Sequence, residues 1–179
     1  AFFSVANVLG STIELTNLNP KSVQGDKKIV EITEQMCYNL KEGLPACFSV
    51  DASDIPDLVP ILAVLATFGT APSRITGAHR LAIKESDRLS STAAMLNALG
   101  GDVTATEDGL EIRPVSELHG GTVDSCGDHR IAMCAAVAAT RCTGAVTILH
   151  GECVEKSYPQ FYEDYRQLGG IANVIVLES

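Results

Sequence analysis

Positive charge is scarce in this sequence. Thirteen lysines and arginines face 22 aspartates and glutamates, a formal net charge of −9 over 179 residues. That balance excludes a broad electrostatic footprint for nucleic acid or for an anionic membrane surface. The six cysteines (37, 47, 126, 134, 142 and 153) include no CxxC pair and no zinc-type spacing with the four histidines. No GxGxxG phosphate loop, nucleophilic triad or metal constellation occurs. The longest apolar runs, such as 129–139, are too short or too interrupted to span a bilayer. With no secretory-type leader in the sequence, a reducing cytoplasmic compartment is expected, or a plastid if the source is a plant.

What is present fits one folded domain. An apolar content of 46% with 20% charged residues excludes general disorder, and the length suits a single hydrophobic core. The first nine residues already form an apolar helical pattern with no initiating Met, so the chain is expected to be part of a longer polypeptide.

The few cations are not scattered. Three polar blocks stand where loops enter apolar helical runs: Lys84-Glu85-Ser86-Asp87-Arg88, Gly127-Asp128-His129-Arg130 and Glu155-Lys156-Ser157-Tyr158-Pro159. An acidic chain that gathers cations at loop-to-helix junctions is suited to a small, highly charged anion. Binding there draws on local focusing of charge rather than on the net sum.

An internal repeat organises the blocks. Three segments share one plan: an apolar helix ending at Gly, a β-branched strand, a loop carrying Lys, and a second helix. The first has helix 1–9, Gly10, strand 12–15, Lys21-Ser22 and helix 26–36. The second has helix 57–67, Gly69, a strand at 74–76, Lys84 and helix 86–99, then a hairpin of 102–106 and 110–112 turning at Glu107-Asp108-Gly109. The third has helix 129–140, Gly144, strand 145–149, Lys156 and helix 159–168, followed by a strand at 171–176. The fold class is α/β or α+β, with three βαβαββ-type units whose helices pack against surrounding sheets; periodicity leaves the sheet order open.

Several side chains in these blocks carry two readings. Asp57, ahead of an apolar helix, suits an N-cap or a general base that removes a proton from a hydroxyl. Lys84 and Arg88, four apart, would share one helix face, as a solvated first turn or as two cations bridged by an anion. Glu85 between them is a candidate general acid. Asp128 suits a cap. Arg130 in the first helical turn opposes the macrodipole, which an anion at the helix N-terminus would offset. His129 reads as a cap-supporting imidazole or a catalytic one. Lys156 gains weight from its equivalence with Lys84.

These blocks resemble the signatures of the 5-enolpyruvylshikimate-3-phosphate synthase family, as do Gln24-Gly25-Asp26 and Asp51-Ala52-Ser53-Asp54-Ile55-Pro56-Asp57. The match runs nearly the whole chain in order. The sister UDP-N-acetylglucosamine enolpyruvyl transferases share the repeat fold without this motif set. The resemblance implies a single C-terminal domain over 1–179 (repeats near 1–50, 51–115 and 116–179), with an N-terminal domain absent and the active site in the cleft between the two. It implies transfer of the enolpyruvyl group of phosphoenolpyruvate to the 5-hydroxyl of shikimate-3-phosphate, with no metal or organic cofactor. By resemblance Asp57 is the base, Glu85 the acid and Lys156 a rival for part of the proton transfer. Arg88, Arg130 and Lys156 hold phosphoenolpyruvate, or glyphosate in its place. Lys84 and Arg80 contact shikimate-3-phosphate, and His129 supports the phosphate site. After Met36 the family's Gly and β-hairpin are replaced by Cys37-Tyr38-Asn39 and a shorter connection, which implies a reshaped first repeat. A non-catalytic anion-binding module or a different enolpyruvyl transferase are the competing readings.

Overall fold

A computed structural model describes residues 1–16 and 25–175. Expectations placed on Lys21, Ser22, Gln24 and Val176 lie outside the described residues. Among those described, the helices are α1 (Phe2–Val8), α2 (Lys28–Glu42), α3 (Val59–Thr67), α4 (Arg88–Ala98), α5 (His129–Ala139) and α6 (Phe161–Gln167). The strands are β1 (Ser49–Asp51), β2 (Ser73–Thr76), β3 (Asp102–Ala105), β4 (Leu110–Arg113), β5 (Gly121–Asp124) and β6 (Val146–Leu149). Short 3-10 turns over Pro56–Leu58, His79–Ile83 and Gly151–Lys156 join them.

The strands form two sheets. In the first, ordered β1-β2-β4-β3, β1 runs parallel to β2 and the other pairs are antiparallel. In the second, β5 pairs in parallel with β6. The fold is therefore mixed α/β. The run β1-α3-β2-α4-β3-β4 follows the expected βαβαββ order, with the hairpin turning at Gly109 as read from sequence. Glycine is required there, because a Cβ would sit 1.8 Å from the Ile75 carbonyl oxygen of the neighbouring strand.

Helix α3 organises the interior. Its sequence, Val-Pro-Ile-Leu-Ala-Val-Leu-Ala-Thr, is apolar on every face, and all nine residues are buried. A helix of that kind is stable only when surrounded. It packs against α1, α4 and α5 and against β3 and β4. Helix α5 is nearly as enclosed, with Ile131 through Ala138 buried. A smaller apolar cluster gathers on Phe161, whose ring meets those of Phe2, Phe3, Tyr158, Tyr162 and Tyr165. No helix among the described residues is long and apolar enough to cross a membrane.

Several local expectations need correction. The strand at 12–15 does not form: residues 11–16 pair with no strand among the described residues, and the Asn7 side chain holds the Ile13 carbonyl (2.7 Å) and N–H (2.8 Å). Residues 171–175 form no strand and have no ladder partner among the described residues. The helix placed at 26–36 is shifted: α2 starts at Lys28 and continues through Cys37-Tyr38-Asn39 to Glu42, ending at left-handed Gly43. Pro159 lies two residues ahead of α6 rather than at its first position.

Three helices share one way of ending. Gly69 and Gly144 are not left-handed, whereas Gly10, Gly100 and Gly169 are. Each of these three follows a leucine (Leu9, Leu99, Leu168) with nearly the same backbone angles. Two residues before each leucine, a side chain donates to the carbonyl six residues on: Asn7 to Ile13, Asn97 to Val103 and Arg166 to Ala172. Helices α1, α4 and α6 therefore end in the same way.

Candidate active site

The starts of α3, α4 and α5 converge, and each brings part of one polar cluster. Asp87 caps α4, accepting from the Ser90 N–H (3.3 Å) and hydroxyl (2.6 Å), which sets Arg88 at the first helical position. Asp128 caps α5 by accepting the Arg130 N–H at 2.9 Å. Cys126 and Gly127 ahead of it are both left-handed (φ 53° and 67°), a tight reversal that turns the Asp128-His129-Arg130 block back toward α4.

Arg88 is the centre of the cluster. Only 2% of its side chain is exposed, and every face of the guanidinium meets a carboxylate. Its Nε donates to Asp128 at 2.8 Å, its Nη1 to Asp57 at 3.0 Å, and its Nη2 lies 3.8 Å from Glu85. Arg130 completes a second fork on Asp57, donating from Nη2 to the carboxylate at 2.8 Å and from Nη1 to the backbone carbonyl at 3.3 Å. Asp57 thus spans two guanidinium groups, one on each of its oxygens. It is not a helix cap: it lies within the 3-10 turn Pro56–Leu58, and α3 has no side-chain cap. Its carboxylate is committed to charge instead.

Asp128 is wholly buried. Burial pushes its carboxyl up, but the Arg88 hydrogen bond, the Arg130 N–H and the Arg88 charge outweigh that and hold it below the usual carboxylate range. His129 Nδ1 lies 2.9 Å from Glu85, close but not aligned as a hydrogen bond. Lys156 donates to the Gly127 carbonyl at 2.9 Å and so stands on the loop that carries Asp128.

Of the candidates read from sequence, Asp57, Glu85, Arg88, His129 and Arg130 come together, with Lys156 attached through Gly127. Lys84 and Arg80 do not join them. Both are exposed, and neither forms an ion pair among the described residues. Lys84 has an extended backbone outside α4, so it does not share a helix face with Arg88. The cap at Asp87 breaks the four-residue spacing.

Sequence reading missed two features. One is Asp128 as the anchor of Arg88, 40 residues away, for which cap spacing gives no signal. The other is an open cleft of about 460 Å³ beside Lys156, lined also by Asp124, Cys126 and His150. Here His150 is left-handed (φ 54°), and its ring lies 3.0 Å from Asp124.

The donor set argues against a metal in the main cluster. Glu85, Asp128 and His129 place ligand atoms within 4.8 Å of one another. Both Asp128 oxygens are already engaged, one by Arg88 and one by the Arg130 N–H. A cation there would face the Arg88 guanidinium.

Fold and cluster define a mixed α/β domain whose paired guanidinium groups meet at helix starts, an arrangement suited to anions. The sequence matches the family model described as EPSP synthase (3-phosphoshikimate 1-carboxyvinyltransferase) over residues 1–165. Relatives named 3-phosphoshikimate 1-carboxyvinyltransferase include those of Clostridium novyi, 44% identical over 180 residues, and Clostridium acetobutylicum, 46% over 177. The alignments cover 96% and 95% of this chain and 41% of each relative. Two solved structures of EPSP synthase from Acinetobacter baumannii are similar, with TM-scores of 0.73 and 0.74 at 27% and 25% identity. They match 94% and 98% of this chain and 44% and 46% of theirs. The chain belongs to the EPSP synthase family, and it spans less than half the length of the relatives it matches.

Proposed function

We propose that this chain is the C-terminal domain of a 3-phosphoshikimate 1-carboxyvinyltransferase, built of three related units, and that it supplies one wall of the active site. The observation that carries the reading is the convergence of Asp57, Glu85, Arg88, His129 and Arg130 from three distant segments. These are the positions at which the family resemblance predicts chemistry.

In this reading Arg88 and Arg130 bind the carboxylate and phosphate of phosphoenolpyruvate, a match for planar forks that each donate more than one hydrogen bond. Lys156 approaches the same anion from the Gly127 loop. Lys84 and Arg80, exposed and outside the cluster, face the second substrate, shikimate-3-phosphate. Asp57 takes the proton of its 5-hydroxyl as that oxygen bonds to the central carbon of phosphoenolpyruvate. Glu85, or Lys156 for part of the transfer, gives a proton to the methylene carbon, so the double bond becomes a single bond. Loss of a proton from that carbon and cleavage of the C–O bond to phosphate then restore the double bond and release phosphate. Fixed cations stabilise the charge on the leaving group, and two carboxyl groups divide base and acid work. Glyphosate, an anion of similar size, would occupy the phosphoenolpyruvate position. The remaining walls come from an N-terminal domain. A cytoplasmic location agrees with bacterial relatives.

Phosphate release with both substrates tests the reading. The chain alone should turn over little or nothing, and mixing it with a complementary N-terminal half should restore activity. Robust turnover by the chain alone would sink the half-site argument. Activity of the reconstituted pair on another acceptor, but not on shikimate-3-phosphate, would sink the substrate assignment.

A further inference from the structure

Each oxygen of Asp57 sits on a different arginine, one 3.0 Å from Arg88 Nη1 and the other 2.8 Å from Arg130 Nη2. A carboxylate bridging two guanidinium groups makes the contacts that a ligand carboxylate or phosphate would make. We propose that Asp57 is an internal, displaceable anion. It occupies the anion position on Arg88 and Arg130 until a ligand takes its place, and it becomes free to act as a base only then. This rests on reading Arg88 and Arg130 as the anion-binding pair.

Burial decides which partner of Arg88 yields. Asp128 is wholly buried and accepts from Arg88 Nε (2.8 Å), the Arg130 N–H (2.9 Å) and the Ser86 hydroxyl (3.3 Å). Breaking that set would strand a charge out of water. Asp57 is 37% exposed, so its carboxylate can return to water when a competing anion takes over its contacts to the buried Arg88 and the 23% exposed Arg130. Glu85, 42% exposed and 3.8 Å from Arg88 Nη2, can also swing aside. An arriving anion therefore displaces Asp57, while Asp128 keeps Arg88 in place. The released carboxylate re-enters water beside the bound anion, where an acceptor hydroxyl would meet it. Base and electrophile are thereby coupled, since the carboxylate is liberated only in a loaded site.

The test is an NMR titration of the chain with phosphoenolpyruvate and, separately, with inorganic phosphate. Asp57→Asn should bind both anions about tenfold more tightly than the wild type, the size expected when a half-exposed competitor is removed. Its melting temperature should rise more with added anion. Asp57→Ser serves the same purpose if the asparagine variant does not fold. In the wild-type chain, which needs no variant to fold, the Asp57 side-chain carboxyl 13C resonance should move with added anion while that of Asp128 stays. Unchanged or weaker anion affinity in a folded Asp57 variant overturns the proposal, as does an Asp57 resonance that stays still at saturation. If the transfer reaction fails but Asp57→Asn still binds more tightly, only the substrate assignment falls. If transfer succeeds and Asp57→Asn does not bind more tightly, only the displacement falls.

Discussion

Asp128 accepts from Arg88 Nε at 2.8 Å with both side chains withdrawn from solvent, at 0% and 2% exposure. The pair joins the first turn of α4 to the cap of α5 across 40 residues of sequence. Taking away one partner leaves the other charged and buried. Asp128→Ala should therefore destabilise the chain by about 3–5 kcal/mol, measured by urea unfolding followed by circular dichroism. Asp128→Asn, which keeps an acceptor for the Arg130 N–H, should cost less. Equal losses for the two would show that charge is not what matters at this position.

The same carboxyl gives a pH dependence with a defined sign. Its folded value lies below the ordinary range and returns to it on unfolding, so the unfolded chain binds the proton more readily. Its stabilising contribution is complete above the unfolded carboxylate value near pH 4 and is lost as pH falls through the lower folded value. The stability gap between wild type and Asp128→Asn should be constant from neutrality down to about pH 5 and narrow below pH 4. Denaturation midpoints across that range provide the check.

Leu62, in the middle of α3, is fully buried. Leu62→Ala should cost about 2–5 kcal/mol through lost contacts and a residual cavity. Leu40 on the outer part of α2 is 40% exposed, and Leu40→Ala should change stability by about 0.5 kcal/mol or less. Thermal melts of the two variants should separate clearly.

Two glycines should respond differently to a methyl group. Gly43 is left-handed (φ 67°) with open space around it, so Gly43→Ala should cost about 1–2 kcal/mol for backbone strain alone. At Gly109 the added Cβ would lie 1.8 Å from the Ile75 carbonyl oxygen, so Gly109→Ala must push the hairpin off β2. It should be the more destabilising of the two by denaturant midpoint.

All six cysteines are free thiols. Cys126 is exposed, whereas Cys134 is buried in α5, where burial pushes its thiol far up and disfavours the thiolate. Maleimide labelling read by peptide mass should reach Cys126 in the native chain and Cys134 only on unfolding.

Much of this was legible because it is local. Asp128 was readable as a cap, since an acid before an apolar run satisfies the helix's first N–H groups wherever it occurs. The hairpin at Gly109 was readable for the same reason. The pairing of Arg88 with Asp128, or of Asp57 with two arginines, was not legible, because it depends on three helix starts meeting in space. Failure also had local causes: the Asp87 cap starts α4 at Arg88 and leaves Lys84 extended, so their four-residue spacing gives no shared helix face. Five of the residues named from the family resemblance, Asp57, Glu85, Arg88, His129 and Arg130, lie together in the structure, while Lys84 and Arg80 lie exposed outside that cluster.

The convergence of three helix starts on one set of ion pairs has a consequence for motion. Local opening at the first turn of α3, α4 or α5 would break contacts belonging to the other two, so these turns should fray together. Amide hydrogen exchange near Leu58, Leu89 and Ile131 should then follow one opening free energy. An anion that displaces Asp57 should uncouple Leu58 from Leu89 and Ile131, which the Asp128–Arg88 pair still joins across 40 residues of sequence.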